Sequence, residues 1–366
     1  MTVRALLRTA NERFRPGHLR FAPEWIILGV NNFCNLRCRM CDVGTGDGQT
    51  NFGGNLTGAA SRSMPPDLFA LILNQMAAHA PDARLGFAYT EPLAWPHLGA
   101  ALDLARSHGV TTTVTTNGLL LPRQADMLAR SGISILHVSI DGPRDVHDRI
   151  RGRAGSYDRA MEGIAAVTAV PGAPPVGVVC TITEWNVGHL TDFAEGLAHR
   201  HRAGARIASL VVTHNNFIDE AMAARHNARH RAPLTATASN VFAADPAKID
   251  LDHLSRDLTR LVGLDLPFTL HLQPRIVDPV GLATYYRDPA RPVGRRCRDA
   301  FRILMIDADG AAIPAHGRCF RMDLGNIRET SLDRLWRAPA LDGLRRNLVA
   351  AGGLMPACTR CCSAMS

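Results

Sequence analysis

Lysine is almost absent from this 366-residue chain: Lys248 is the only one, so the formal net charge of +8 is carried by arginine. A GC-rich genome produces such a bias, but guanidinium also forks carboxylate and phosphate, which suits an anionic or polar substrate. Basic stripes interleaved with aromatics are missing too, which speaks against nucleic acid. No stretch approaches the roughly 18 apolar residues of a membrane span. The N-terminus, MTVRALLRTANERFRPGHLRF, lacks the apolar core and small-residue cleavage site of a signal peptide. These absences leave a cytoplasmic protein with no membrane partner as the expectation. In that reducing compartment, nine cysteines point to metal ligands or redox groups rather than to a disulfide framework.

What is present reads as a globular protein of one large domain and one small one: 46% of residues are hydrophobic and 20% charged. Six apolar runs rich in β-branched residues are strand candidates: 24–30, 84–89, 110–116, 135–140, 176–182 and 208–214. They are nearly continuous in hydrophobicity, as strands covered on both faces should be. Helix-like segments alternate with them at 65–80, 95–108, 122–131, 157–169 and 187–203, several opening on proline or a cap such as Ser156. Such alternation predicts an α/β fold with a parallel sheet, an open doubly wound sheet or a partial barrel, whose chemistry sits at the carboxyl ends of the strands. Residues 42–63, rich in Gly, Asn, Thr and Ser, predict a mobile loop placed to act as a lid. Residues 215–294 read as a linker or substrate-shaping segment, with a helix near 250–262 and a strand near 267–273. Residues 1–23 form an N-terminal extension.

The chemistry concentrates in NNFCNLRCRMC, directly after the first strand. Cys34, Cys38 and Cys41 have no fourth partner nearby. Structural zinc wants four protein ligands, whereas three thiolates on a four-iron cubane leave one iron open to a small molecule. The C-x3-C-x2-C spacing resembles the signature of the radical S-adenosylmethionine (SAM) superfamily. FAYTEPL, VTTNGLLL and VSIDGPRDVHDRIRG resemble the segments that follow its second, third and fourth strands. The resemblance covers residues 24–214 and implies a partial (β/α)6 TIM-like barrel.

It further implies that Cys34, Cys38 and Cys41 hold a 4Fe-4S cluster whose open iron chelates SAM. Met40 stands where the family touches adenine, and Tyr89, Thr90 and Glu91 match the segment that meets the methionine amino group. Tyr-Thr replaces the usual glycine pair there, so Tyr89 is free to project towards substrate. Thr116, Asn117, Ser139 and Asp141 become candidates for ribose and carboxylate contacts. Arg151 is a candidate anion or substrate contact, its alternative being a solvated arginine. Reduction of the cluster implies an electron donor such as flavodoxin or ferredoxin.

Beyond the sixth strand, Cys297, Cys319, Cys358 and Cys361 could fully ligate a second cluster or a zinc ion. MIDADGAAIPAHGRCF reads as a β-hairpin turning at Asp309-Gly310, followed by a short helix capped near Thr330 or Ser331. With the upstream motifs, residues 295–366 resemble the reduced SPASM or twitch domain, a small α+β unit with one auxiliary 4Fe-4S cluster. The family's Gly-x4-Cys step is broken, because Ala315 stands at the cysteine position and the ligand moves to Cys319. The choice between Cys361 and Cys362 stays open, with spacing favouring Cys361.

The resemblance implies a 5'-deoxyadenosyl radical that takes a hydrogen from a polar, perhaps sugar-like, small molecule. Oxidation follows if the auxiliary cluster accepts an electron; epimerisation follows if a thiol, Cys180 or Cys362, returns a hydrogen. Cys180, inside VGVVCTIT, suits a core position better. A peptide maturase is the alternative, set lower because about 25 residues precede the first strand. A third reading is a non-catalytic iron-sulfur or zinc-stabilised protein.

Overall fold

The computed structural model describes residues 3–58 and 60–364. One sheet holds nine strands: β1 (Trp25–Leu28), β2 (Arg84–Phe87), β3 (Thr112–Thr116), β4 (Ile135–Ser139), β5 (Val176–Ile182), β6 (Ile207–His214), β7 (Thr269–Gln273), β8 (Ile303–Ile306) and β9 (Ala312–Pro314). Their order is β7-β6-β5-β4-β3-β2-β1-β8-β9. All neighbours are parallel except β8 and β9. β1 to β6 are the six strands read from the sequence. The predicted helices between them are Pro66–His79, Leu98–Ser107, Leu121–Arg130, Ser156–Ala169 and Leu190–Arg202. The architecture is the expected α/β partial barrel with a small cysteine-bearing C-terminal part.

Register shows why these runs became strands. Ile26 pairs with Leu85 on one side and Leu304 on the other, and Leu28 with Phe87 and Ile306; all six are fully buried. Burying each such side chain contributes about 1.5–3 kcal/mol. Phe69, Phe87 and Trp95 interlock at ring separations of 5.8–6.3 Å beneath β2. The result is a stiff platform whose carboxyl-end loops carry the polar motifs. Cys180 is fully buried in the main apolar core with Val178 and Ile182, as its surroundings in the sequence suggested.

Several expectations need correction. The Gly- and Asn-rich stretch after Cys41 is packed rather than a mobile lid: it forms helices Asp42–Thr45 and Asn51–Leu56. Val43, Phe52 and Leu56 are buried against Met305 and Ile313 of the β8–β9 hairpin. Phe52 and Leu56, four apart, are a helical pair that the surrounding small residues masked. Within residues 215–294 the expected helix and strand are Leu251–Val262 and β7, which joins the edge of the sheet at β6, and the segment also holds helices Glu220–Asn227 and Pro279–Arg287. β8 in turn extends the other edge beside β1, so the C-terminal part is continuous with the barrel sheet.

Ser156 is not a cap: it is the first helical residue, and Asp148 accepts from Gly155 N, Ser156 Oγ and Tyr157 N at 2.6–2.8 Å. Ser331 does cap the helix Leu332–Trp336. No helix among the described residues is long and apolar enough to cross a membrane.

Candidate functional site

The loop after β1 carries Cys34, Cys38 and Cys41 over the carboxyl ends of the strands, Cys38 buried and the other two half-buried. Burial pushes the Cys34 thiol up to about 11 and the Cys38 thiol up to about 12. Two side chains, one from a neighbouring loop and one from a helix end, aim N–H groups at these sulfurs. Asn117 Nδ2, after β3, lies 3.7 Å from Cys34 Sγ and donates to Asn35 Oδ1 at 2.7 Å. Arg151 Nη1 lies 3.7 Å from Cys38 Sγ, and its Nε donates to Asp141 at 2.6 Å.

Arg151 ends the helix Arg144–Arg151, which the sequence reading left unassigned. Its guanidinium is not solvated; burial alone would weaken its hold on the proton, but Asp141 and Cys38 outweigh that and raise it. The same helix end grips the loop twice more. Arg39 N donates to Ile150 O at 3.0 Å. Gly152, at φ +69, presses on Arg37, where a Cβ would lie 2.7 Å from its carbonyl oxygen.

Glu91, fully buried, joins three loops. Its carboxylate accepts from Leu93 N, Thr116 Oγ1 and Asn117 N at 2.7–2.9 Å, and its carbonyl accepts from Asn31 Nδ2 at 2.8 Å. Burial lifts its proton affinity, opposed by these hydrogen bonds. Asp141 is likewise committed, to Thr181 N at 2.8 Å as well as to Arg151. Buried Thr90 has no partner for its Oγ1, nor has Asn31 for its Oδ1, so two polar atoms beside Glu91 are left for a ligand. Met40 packs with Leu36, Cys38, Leu119, Ile150 and Ala244, and Ser139 ends β4, half-buried.

The structure answers the question raised by Tyr89. It takes the glycine-like backbone, φ +74, despite its side chain. The ring stacks on His316 at 5.8 Å and meets Phe52 edge-on at 6.3 Å. A tyrosine at the first cysteine site therefore reaches the second. There, one cavity is lined by Cys297, Cys319, Cys358 and Cys361, together with His316 and Arg318. Cys362 is the one exposed cysteine and is not among the lining residues. His316 Nε2 lies 3.6 Å from Cys361 Sγ, 3.8 Å from Cys362 Sγ and 2.7 Å from Ser363 Oγ, which donates to Asp299. Burial would lower His316, but the Cys362 thiolate and Asp299 more than compensate and raise it.

Sequence reasoning missed His316, Asp42, His147 and Asn186. Asp42, beside Cys41, accepts from Ser239 Oγ and Asn240 N at 2.7 and 2.8 Å. His147 and Asn186 hold Asp141 by its main-chain N–H and carbonyl. Only His316, lying among C-terminal cysteines, left a signal that composition could have flagged.

Comparison with known proteins follows this division. Residues 28–193 match the radical SAM superfamily model, and residues 297–362 match the SPASM iron-sulfur cluster-binding domain. The chain holds a radical SAM domain followed by a SPASM domain.

This radical SAM chain is 31% identical over 175 residues to a GTP 3',8-cyclase of Geobacter sulfurreducens, covering 47% of this chain and 50% of that one. It is 30% identical over 173 residues to the pre-heme d1 synthase of Dinoroseobacter shibae, covering 46% and 38%. The sporulation killing factor maturation protein SkfB of Bacillus subtilis matches at 26% over 188 residues, covering 51% and 42%. The match thus spans half or less of these relatives. Among solved structures, Streptococcus suis SuiB bound to SAM superposes with a TM-score of 0.60 at 17% identity, over 93% of this chain and 72% of that one. Native anSMEcpe with bound SAM gives 0.58 at 14%, over 88% and 83%. At these identities the likeness concerns the fold.

Proteins of this kind carry 4Fe-4S clusters and SAM, and the donor sets fit. N–H groups aimed at the sulfurs of half-buried Cys34 and buried Cys38 suit thiolates rather than neutral thiols. Four cysteines around one cavity supply a complete set for a second cluster.

Proposed function

We propose that this radical SAM enzyme removes hydrogen from a polar small molecule and oxidises it, with Cys34, Cys38 and Cys41 holding the SAM-binding cluster and Cys297, Cys319, Cys358 and Cys361 the auxiliary one. Bound cluster and SAM supply a 5'-deoxyadenosyl radical; the chain's residues position, shield and discharge what that radical acts on. The observation that carries the reading is the Tyr89–His316 stack, which joins the two cysteine sites through side chains in contact. A substrate radical formed beside Tyr89 would lie near a fully ligated centre able to take its electron. The cavity lined by the four auxiliary cysteines and His316 also takes in Asn51, Asn216, Ser239 and Arg318, and such groups suit hydroxyl or anionic substituents.

Asn117, Arg151 and Glu91 would keep the cysteine loop in place, while the unpaired Thr90 and Asn31 oxygens would receive donors from SAM. Ser139 and Met40 stay candidate contacts for ribose and adenine. An external flavodoxin or ferredoxin would deliver the first electron.

A peptide substrate is the second reading, supported by the match to SkfB, a maturation protein, over half of this chain. The experiment is anaerobic reconstitution followed by mass spectrometry of 5'-deoxyadenosine, with candidate polyols, sugars and peptides deuterated at defined carbons. Deuterium in the deoxyadenosine identifies substrate and position. Cys358→Ala should still cleave SAM while losing oxidised product; normal oxidation by that variant would remove the acceptor role.

A further inference from the structure

Cys297 faces two spaces. Inside, it lines the auxiliary cavity with Cys319, Cys358 and Cys361. Outside, alone of these four, it lines a surface cleft of about 420 Å³ that also takes in Arg13, Arg295, Arg296 and Val349. Arg13 and Arg295 are exposed, and Val349 is 38% exposed. Glu12 is the only acid lining the cleft; it is buried and already occupied by Arg302 at 3.3 Å and Arg296 at 3.9 Å. The surface beside Cys297 is therefore cationic around an apolar floor.

The cleft is also held firmly. Cys297 N donates to Gly353 O at 3.0 Å, and Gly353 N to Leu348 O at 2.7 Å. Gly353 sits at φ +114, where a Cβ would lie 2.6 Å from Arg295 O, so the two turns press together as only glycine allows.

We propose that this cleft is the docking site of an acidic one-electron carrier protein, which collects the electron left at the auxiliary site after substrate oxidation. The inference rests on the oxidation reading above. One electron would pass to the carrier from the centre that Cys297, Cys319, Cys358 and Cys361 would hold, reducing the carrier by one; no bond would form or break, the substrate's proton having already left. Exposed arginines on a rim steer an anionic protein at long range, whereas a small anion would need buried, convergent donors.

The test is titration of an acidic flavodoxin into the anaerobically reconstituted protein, without SAM or substrate. Affinity should fall with rising salt, and the double reversal Arg13→Glu/Arg295→Glu should weaken it by about tenfold or more. Arg123→Glu/Arg202→Glu, an equal charge change at exposed positions elsewhere, should leave affinity nearly unchanged. Equal losses in both double variants would reduce the effect to net charge, and no loss in the first would place docking elsewhere; either overturns the proposal. Saturable binding of pyrophosphate at low millimolar concentration with no flavodoxin binding would also overturn it, in favour of a small-anion site. Because binding is read without turnover, a protein that docks the carrier but oxidises nothing counts against the proposed function and not against this surface.

Discussion

Arg151 shows how one residue can serve two partners. Its guanidinium bridges Asp141 at 2.6 Å and Cys38 Sγ at 3.7 Å from a nearly buried position. Removing one partner of such a pair leaves the other charge buried and uncompensated, which costs about 3–5 kcal/mol. Arg151→Met should therefore lower the unfolding free energy of the metal-free protein by about that much, and adding Asp141→Asn should recover most of it in a double-mutant cycle. Both variants should shift the midpoint potential of the N-terminal cluster negative, read by redox titration with electron paramagnetic resonance, because a cation beside a thiolate favours the more reduced cluster. An unchanged potential would make Arg151 purely structural. Tyr89 stands at the same scale: a non-glycine residue at φ +74 stores about 1–3 kcal/mol of strain, offset here by its stack on His316. Tyr89→Gly should keep SAM cleavage but uncouple it, giving more deoxyadenosine per oxidised product.

Among the elements, the short helix Asp42–Thr45 depends on a segment nearly two hundred residues away. Asp42 is its first residue and accepts from Ser239 and Asn240, while Asn51 N, opening the next short helix, donates to Thr237 Oγ1 at 2.7 Å. The stretch from 237 to 240 thus ties down the chain just after Cys41. Asp42→Ala would leave a buried hydroxyl and a buried N–H without acceptors, at about 1–3 kcal/mol. The expected outcome is a lower thermal midpoint together with faster loss of iron from the N-terminal site on anaerobic desalting, while the C-terminal site keeps its iron. Equal loss from both sites would mean general unfolding rather than release of this clamp.

For the whole molecule, buried imidazoles set the response to acid. His214, fully buried, contacts Tyr286 Oη at 2.9 Å, and burial holds its pKa down to about 4. His147 is brought to about 4 as well, by burial and then by the Arg151 charge. A histidine whose folded pKa lies below its unfolded value contributes fully above about pH 6.5, and that contribution is lost as pH falls from there towards 4. Each should account for roughly 2 kcal/mol of stability lost between pH 7 and pH 5. His214→Gln should flatten the decline by about that amount in urea unfolding at the two pH values; a parallel decline would contradict the assignment.

The order of strands and helices, and the two groups of cysteines, were legible in the sequence because both are local patterns: hydrophobic runs of strand length, helical periodicity, and thiols spaced along one loop. EWIILGV and NNFCNLRCRMC needed no distant information. The same locality explains the failures. Gly and Asn content hid the Phe52–Leu56 pair, since what buries it is Met305 and Ile313, hundreds of residues on. Which groups aim at the sulfurs, that Glu91 is spent joining loops, that Tyr89 lies against His316, and that Cys297 opens onto an arginine-lined cleft were decided only when the parallel sheet brought separate strand ends together. Which thiols are grouped is written in spacing along the chain; the layer that holds and connects them exists only as contacts across it.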